Sequence, residues 1–151
     1  MSNLYETDYY GWANEQARLL RTGQLTKADI ENIAEEIESM GKGEKRELVN
    51  RLIVLLQHLL KWEYQPERRS RSWRITIAIQ RDQIARHMSD NPSLKPKVEE
   101  AMRDAYRTAR LQAAVETDMK ASFFPSDCPY PWARAVDEAF WPGPASPSAE
   151  P

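Results

Sequence analysis

The side chains in this sequence with the most chemical potential lie in two charged clusters, and the first is a short arginine-rich segment, residues 68–74. It contains Arg68, Arg69, Arg71 and Arg74 together with Trp73, at the predicted start of a helix. Free N–H groups at a helix start, bidentate guanidinium groups and a stacking indole are the parts of a phosphate or nucleic-acid site. We weigh this binding site against a structural role, in which Trp73 belongs to the core and the arginines pair with carboxylates.

The second cluster consists of glutamates on one face of a predicted helix. Glu31, Glu35 and Glu38 are spaced four and three residues apart, and His58 borders the apolar face of the next predicted helix. Carboxylates at a helix seam hold divalent metals in helical bundles, so these four residues form an alternative metal site. The pattern resembles in outline the all-α NTP pyrophosphohydrolases, but residues 48–62 lack the second pair of acids. We favour ion pairs between these glutamates and the arginine-rich segment.

The other reactive side chains predict no catalytic residue and no cofactor. The sequence has two histidines, His58 and His87, and one cysteine, Cys128, which is too few for a structural zinc site. No neighbouring base in Asp-Cys-Pro-Tyr would activate the thiol, and we expect Cys128 to be a small buried residue. The sequence contains no Gly-rich phosphate loop, nucleophile elbow or metal-hydrolase histidine pair.

Helices must position these clusters, because apolar residues recur at helical spacing along most of the chain. Gly41 and Gly43 are predicted to end or kink the second helix, and Pro66 stops the third. The predicted helices span residues 8–22, 26–40, 44–64, 72–88, a stretch from Ser93 to about Asp118, and a short piece at 132–139. The sequence therefore predicts an all-α fold, a compact bundle of about five helices with a Pro-rich C-terminal segment that carries a short helix.

Composition indicates one helical domain over residues 1–141 and a disordered Pro/Ser-rich tail over residues 142–151. The hydrophobic share of 41% and charged share of 29% are typical of a soluble globular domain. The apolar runs are too short to span a membrane, and a single cysteine fits a reducing compartment, so we expect a cytoplasmic protein. A net charge of -2 gives no global attraction to nucleic acid, although Lys61–Arg110 holds twelve basic and seven acidic residues.

Five sequence blocks carry a resemblance to a known family. They read YETDYYGWANEQARLL, IENIAEEIESMGKGEKREL, LLQHLLKWEYQPERRSRSWRITI, FPSDCPYPW and AFWP. Together they resemble the domain of unknown function 29 family, small bacterial helical proteins, from Tyr5 to Pro142. The resemblance implies an all-α fold without assigned catalytic residues, so it supplies no site.

The predicted helices carry more apolar surface than five helices hide. Val54 lies well round the third helix from Leu48, and Ile75 and Ile79 lie opposite Trp73 on the fourth. Because such a surplus marks an interface, we expect a non-enzymatic module that acts through a protein partner or as a homo-oligomer. Nucleic-acid or phosphate-ligand binding through residues 68–74 is the alternative, and a metal-dependent hydrolase built on the helix carboxylates is the second alternative.

Overall fold

A computed structural model describes residues 4–144, and across that range the chain is all-α without a strand, which confirms the predicted fold class. The α-helices are α1 Leu4–Thr7, α2 Tyr9–Arg21, α3 Ile30–Tyr64, α4 Arg71–Asp90, α5 Val98–Thr117 and α6 Trp132–Ala135. Short 3-10 turns lie at Leu25–Lys27, Pro66–Arg68, Pro92–Lys97 and Ala121–Phe123. In the described range, no helix has the length and apolar character needed to cross a bilayer.

Short polar side chains cap the first helices. Asp8 caps α2 by accepting a bond from the backbone N–H of Gly11 at 3.0 Å, close to the predicted start. Asp29 accepts from the backbone N–H of Asn32 at 3.4 Å, and α3 begins at Ile30 rather than at residue 26, because residues 25–27 form a 3-10 turn. Gly23 follows α2 with a φ of 75°, the left-handed conformation expected after a helix.

The second and third predicted helices are in fact one helix. α3 runs through Gly41 and Gly43 without a break, and neither glycine has a positive φ. A glycine in a helix interior costs only about 1 kcal/mol relative to alanine. The turns that follow are anchored, because Lys45 donates to Glu100 at 2.5 Å and Leu48 is fully buried. Anchoring beyond the glycines therefore outweighs their weak helix propensity.

By its internal contacts the chain divides into two compact units, an N-terminal unit of residues 1–43 and a C-terminal unit of residues 44–151. In the N-terminal unit, Trp12 and Leu19 are the buried apolar side chains among the described residues. The indole N–H of Trp12 donates to Asp29 at 3.0 Å, which ties α2 to the start of α3. The predicted single domain over residues 1–141 stays a prediction.

The core of the C-terminal unit surrounds the second half of α3, as expected for a central helix with several apolar faces. Ile77 and Ile84 from α4 pack into it, and α5 contributes small side chains that allow close approach. The fully buried residues of α3 and α5 are Leu48, Leu52, Leu55, Leu56, Leu59, Leu60, Ala101, Ala105, Ala109 and Ala113.

The Pro-rich segment after α5 docks on this core. Phe124 and Tyr130 are buried, as predicted for its aromatic residues, but Phe123 is exposed. α6 is shorter than predicted and ends at Ala135. The predicted tail begins at Pro142, yet Pro142 is buried, and Gly143 and Pro144 are exposed. Residues 145–151 of that tail lie outside the described residues.

Candidate functional site

The arginine-rich segment is bound to the protein's own backbone. The Arg69 guanidinium donates from Nε to the Trp62 carbonyl at 2.8 Å, from Nη1 to Pro144 at 2.9 Å and from Nη2 to Pro142 at 3.3 Å. The Cζ atom of Arg69 lies 4.9 Å from the centre of the Trp62 ring. Arg69 therefore holds the C-terminal segment against the end of α3, which leaves little of its donor capacity for a ligand.

Arg74 and Trp73 also serve the packing of the C-terminal unit. The Arg74 guanidinium lies 5.4 Å from the Trp62 ring centre and 5.6 Å from that of Trp141. Trp73 packs against the core but is only half-buried, less than a core residue is expected to be, and the Lys61 ammonium lies 5.0 Å from its ring. The partners of Arg69 and Arg74 are thus carbonyls and indoles, where the sequence predicted carboxylates.

Two predicted binding residues remain in solvent. The side chains of Arg68 and Arg71 are exposed, and neither takes part in a hydrogen bond or ion pair within residues 4–144. The guanidinium groups of Arg69 and Arg74 contact indole rings instead, so the five predicted residues do not share one set of contacts.

The predicted metal site is not assembled. In the part of the chain that the structure describes, no group of three or more histidine, cysteine or acidic side chains is placed to hold a metal ion. The Nδ1 atom of His58 lies 2.8 Å from the Val54 carbonyl of its own helix, and burial lowers the pKa of His58. Glu31, Glu35 and Glu38 are exposed. His58 is thus a neutral, hydrogen-bonded packing residue, which is the role that a histidine at a helix seam most often has.

Cys128 is less buried than the sequence predicted. Its thiol is half-buried, lies 3.4 Å from the Tyr130 carbonyl, and has its pKa raised by burial. A thiol nucleophile requires the opposite shift.

A carboxylate organises the N-terminal unit. The phenol groups of Tyr5 and Tyr9 both donate to Glu36 on α3, and these bonds lower the pKa of Glu36. The same bond raises the pKa of Tyr5 to about 12. The two tyrosine rings and Trp12 form a cluster, with centroids 4.6 Å apart for Tyr5 and Trp12. α1 and α2 therefore occupy the face of α3 that carries Glu36.

The adjacent face of α3 is apolar and exposed, and we call it the N-terminal stripe: Ile30, Ile33, Ile37 and Met40. Three of these side chains are more than half exposed, at 54% for Ile30, 62% for Ile37 and 69% for Met40, and Ile33 is half-buried. Their spacing of three, four and three residues puts them on one side of the helix. A connected apolar stripe of this kind is unusual on a free surface.

Unpaired carboxylates border the N-terminal stripe. Glu31 and Glu38 directly follow Ile30 and Ile37 in the chain and so lie about 100° from them round α3, whereas Glu35 lies on the side away from the stripe. None of the three takes part in an ion pair among residues 4–144. Residues 1–43 hold four basic and eight acidic residues, a net charge of -4. The surface therefore combines an apolar centre with an acidic margin.

The sequence placed the surplus apolar surface elsewhere. It predicted exposure on the third and fourth helices, and Ile75 and Ile79 are indeed exposed on α4 at 44% and 50%, whereas Val54 is half-buried. It assigned Ile30 and Ile37 to a buried face. The missed signal is the length of the N-terminal unit, since 43 residues offer too little chain to cover both sides of a helix.

The fold places this chain in the class of small all-α proteins. It belongs to the family described as Domain of unknown function DUF29, whose model matches residues 4–141, and this confirms the resemblance seen in the sequence blocks. No curated protein and no solved structure is significantly similar to it.

Proposed function

We propose that this protein is a non-enzymatic interaction module whose N-terminal stripe binds a basic amphipathic helix of a partner protein. The observation that carries the proposal is the exposed row of Ile30, Ile37 and Met40 with Glu31 and Glu38, which are in no ion pair among residues 4–144, on its flank. Such a surface matches helix-in-groove recognition, in which apolar anchors at helical spacing dock on an apolar face.

The apolar centre supplies affinity. When a partner covers the side chains of the N-terminal stripe, each Å² of apolar surface removed from water stabilises the complex by about 25 cal/mol. The N-terminal unit has few buried side chains of its own, chiefly Trp12 and Leu19. A docked helix would complete a core that the unit lacks.

The acidic margin selects the partner. A lysine- or arginine-bearing helix would pair with Glu31 and Glu38, and such complementarity sets specificity and association rate. A second copy is a poorer occupant, because each N-terminal unit brings a net charge of -4 and the two sets of unpaired glutamates would repel. The proposal takes the cytoplasm as its compartment, which the single cysteine supports.

The test uses two synthetic helical peptides of about 18 residues, enough for about five turns. Both have the same leucine stripe, and the polar positions are lysine in one and glutamate in the other. We expect calorimetry at low salt to show binding of the Leu–Lys peptide only. The double variant Ile37→Ser, Met40→Ser should weaken it at least about tenfold, because it removes apolar anchors without changing charge.

Val115→Ser is the matched control, since Val115 is 81% exposed on α5 and lies outside the stripe. It should bind the Leu–Lys peptide as the wild type does. Equal binding of both peptides, or unchanged affinity of the double variant, would contradict the proposal. Light scattering of the wild type that shows a dimer, lost in the double variant, would make a second copy the occupant instead.

A further inference from the structure

A groove lies between α5 and the loop of residues 126–131 in the C-terminal unit. Its volume is about 570 Å³, within the range of small-molecule sites. α5 contributes one wall with Arg103, Arg107 and Arg110, and the loop contributes the other with Cys128 and its flanking prolines. None of these residues belongs to the arginine-rich segment or to the N-terminal stripe.

The three arginines line the groove because they are spaced four and three residues apart on α5. The side chains of Arg103 and Arg107 are exposed and take part in no hydrogen bond or ion pair among residues 4–144, although the Arg103 charge helps to lower the pKa of Glu100. Arg110 is held in place, since its Nε and Nη2 atoms both donate to the Phe124 carbonyl at 3.2 Å. The groove thus presents one oriented guanidinium and two that are free to close on a ligand.

The rest of the lining defines the ligand further. Glu99 and Asp127 also face the groove, so its lining carries three positive and two negative charges, and this positive excess favours an anionic group that lies close to the arginines and away from the acids. Leu111, which is 55% exposed, adds apolar surface. The occupant therefore has an anionic part and an organic part.

The spacing of the arginines favours a chain of phosphates. From Arg103 to Arg110 the helix rises about 10 Å, at about 1.5 Å per residue. This distance exceeds one phosphate group but suits an extended oligophosphate, and guanidinium groups bind phosphate oxygens in bidentate pairs. We infer that the groove between α5 and residues 126–131 binds a small organic molecule through an oligophosphate group. This inference is independent of the N-terminal stripe and its partner.

Cys128 offers a direct readout, because it lines the groove and is the one cysteine in the chain. Calorimetry and the rate of Cys128 alkylation are measured on the full chain, at about pH 9, above the pKa of an ordinary thiol, because burial raises the pKa of Cys128. The probes are inorganic tripolyphosphate, adenosine triphosphate and citrate, all with EDTA. We expect both phosphate probes to bind and to slow alkylation at least about threefold, with citrate at least about tenfold weaker.

The double variant Arg103→Gln, Arg107→Gln should lose at least about tenfold in tripolyphosphate affinity and lose the protection of Cys128. Its fold is checked by thermal unfolding, and Arg107→Lys is the second variant, which keeps the charge but not the bidentate fork. The control is Arg68→Gln, Arg71→Gln, which removes two exposed arginines outside the groove and should leave both measurements unchanged.

Three results would overturn the inference. They are the absence of tripolyphosphate binding at millimolar concentration, equal loss of affinity in the groove variant and the control variant, and binding without protection of Cys128. Citrate that binds as tightly as tripolyphosphate would also overturn it, because the groove would then recognise charge without selecting phosphate.

Discussion

At the scale of single residues, Arg81 illustrates how this protein uses its arginines. The side chain is only 3% exposed, the lowest value for a charged residue in the described range. Its Nε donates to the Ala135 carbonyl and its Nη2 to the Phe140 carbonyl, both at 2.8 Å, and the guanidinium lies 5.3 Å from the Trp141 ring centre. Burial lowers the pKa of Arg81. The buried guanidinium of Arg81 therefore links α4 to the segment after α5.

We predict that Arg81→Met destabilises the protein by about 3–5 kcal/mol, since it removes two charge-assisted bonds and leaves a buried carbonyl without a donor. Urea unfolding followed by circular dichroism measures the change. Arg86→Met on the same helix is the control, because Arg86 is 72% exposed in its pair with Asp82, and an exposed pair contributes about 1 kcal/mol or less. Equal effects of the two substitutions would show that Arg81 does not clamp the C-terminal segment.

At the scale of elements, α3 decides the architecture of the chain. Its first half carries the N-terminal stripe and its second half is the central helix of the C-terminal unit. Gly41 and Gly43 lie between these halves, and a Cβ built on either would meet open space. Both glycines are helical here, so their only effect is to lower helix propensity.

We predict that Gly41→Ala and Gly43→Ala each stabilise the protein by about 0.5–1 kcal/mol, because alanine is the better helix former and restricts the unfolded chain. Gly23→Ala should destabilise it by about 1–2 kcal/mol, since Gly23 has a φ of 75°, which strains a residue with a Cβ. Thermal and urea unfolding of the three variants give the comparison. Destabilisation by both Gly41→Ala and Gly43→Ala would mean that α3 breaks at this point in solution.

At the scale of the whole molecule, the two units differ in how much core they contain. The described part of the N-terminal unit buries Trp12 and Leu19, whereas the C-terminal unit buries a cluster of eighteen apolar residues. Because local stability follows the apolar contacts that opening must break, the N-terminal unit is the less stable part. We expect the N-terminal unit to become more ordered when the proposed partner helix binds to it.

We predict that native-state hydrogen exchange separates the two units. The amides of α2 should exchange through openings of low free energy, about 1–3 kcal/mol, while those of α5 should approach the free energy of global unfolding. Adding the Leu–Lys peptide should slow exchange in α2 and leave α5 unchanged. Equal protection of α2 and α5 in the free protein would show that the units unfold together, and the N-terminal unit would need no partner to complete it.

Much of the fold is predictable because it depends on local patterns. The leucine-rich face of residues 48–60 predicts a central helix, and Pro66 predicts where it stops. The merger of two predicted helices through Gly41 and Gly43 is not predictable in this way, because propensity acts over a few residues and packing further along the helix overrides it. The sequence predicts which residue types are present at the candidate site but not that they are exposed together. The glutamates and the isoleucines of the N-terminal stripe stand out in the sequence, but the uncovered side of α3 does not.

The sequence by itself determined that the chain is helical, which family it resembles, and that it has apolar surface to spare, since periodicity and composition act at short range. The tertiary structure decided what the charged residues do. Arg69 and Arg74 look like ligand-binding residues in the sequence, and in the folded chain they contact indoles and carbonyls instead. Arg103 and Arg107 draw no attention in the sequence, yet they line the groove. The physical reason is that a guanidinium binds whatever acceptor lies within reach, and distant parts of the chain meet only when it folds.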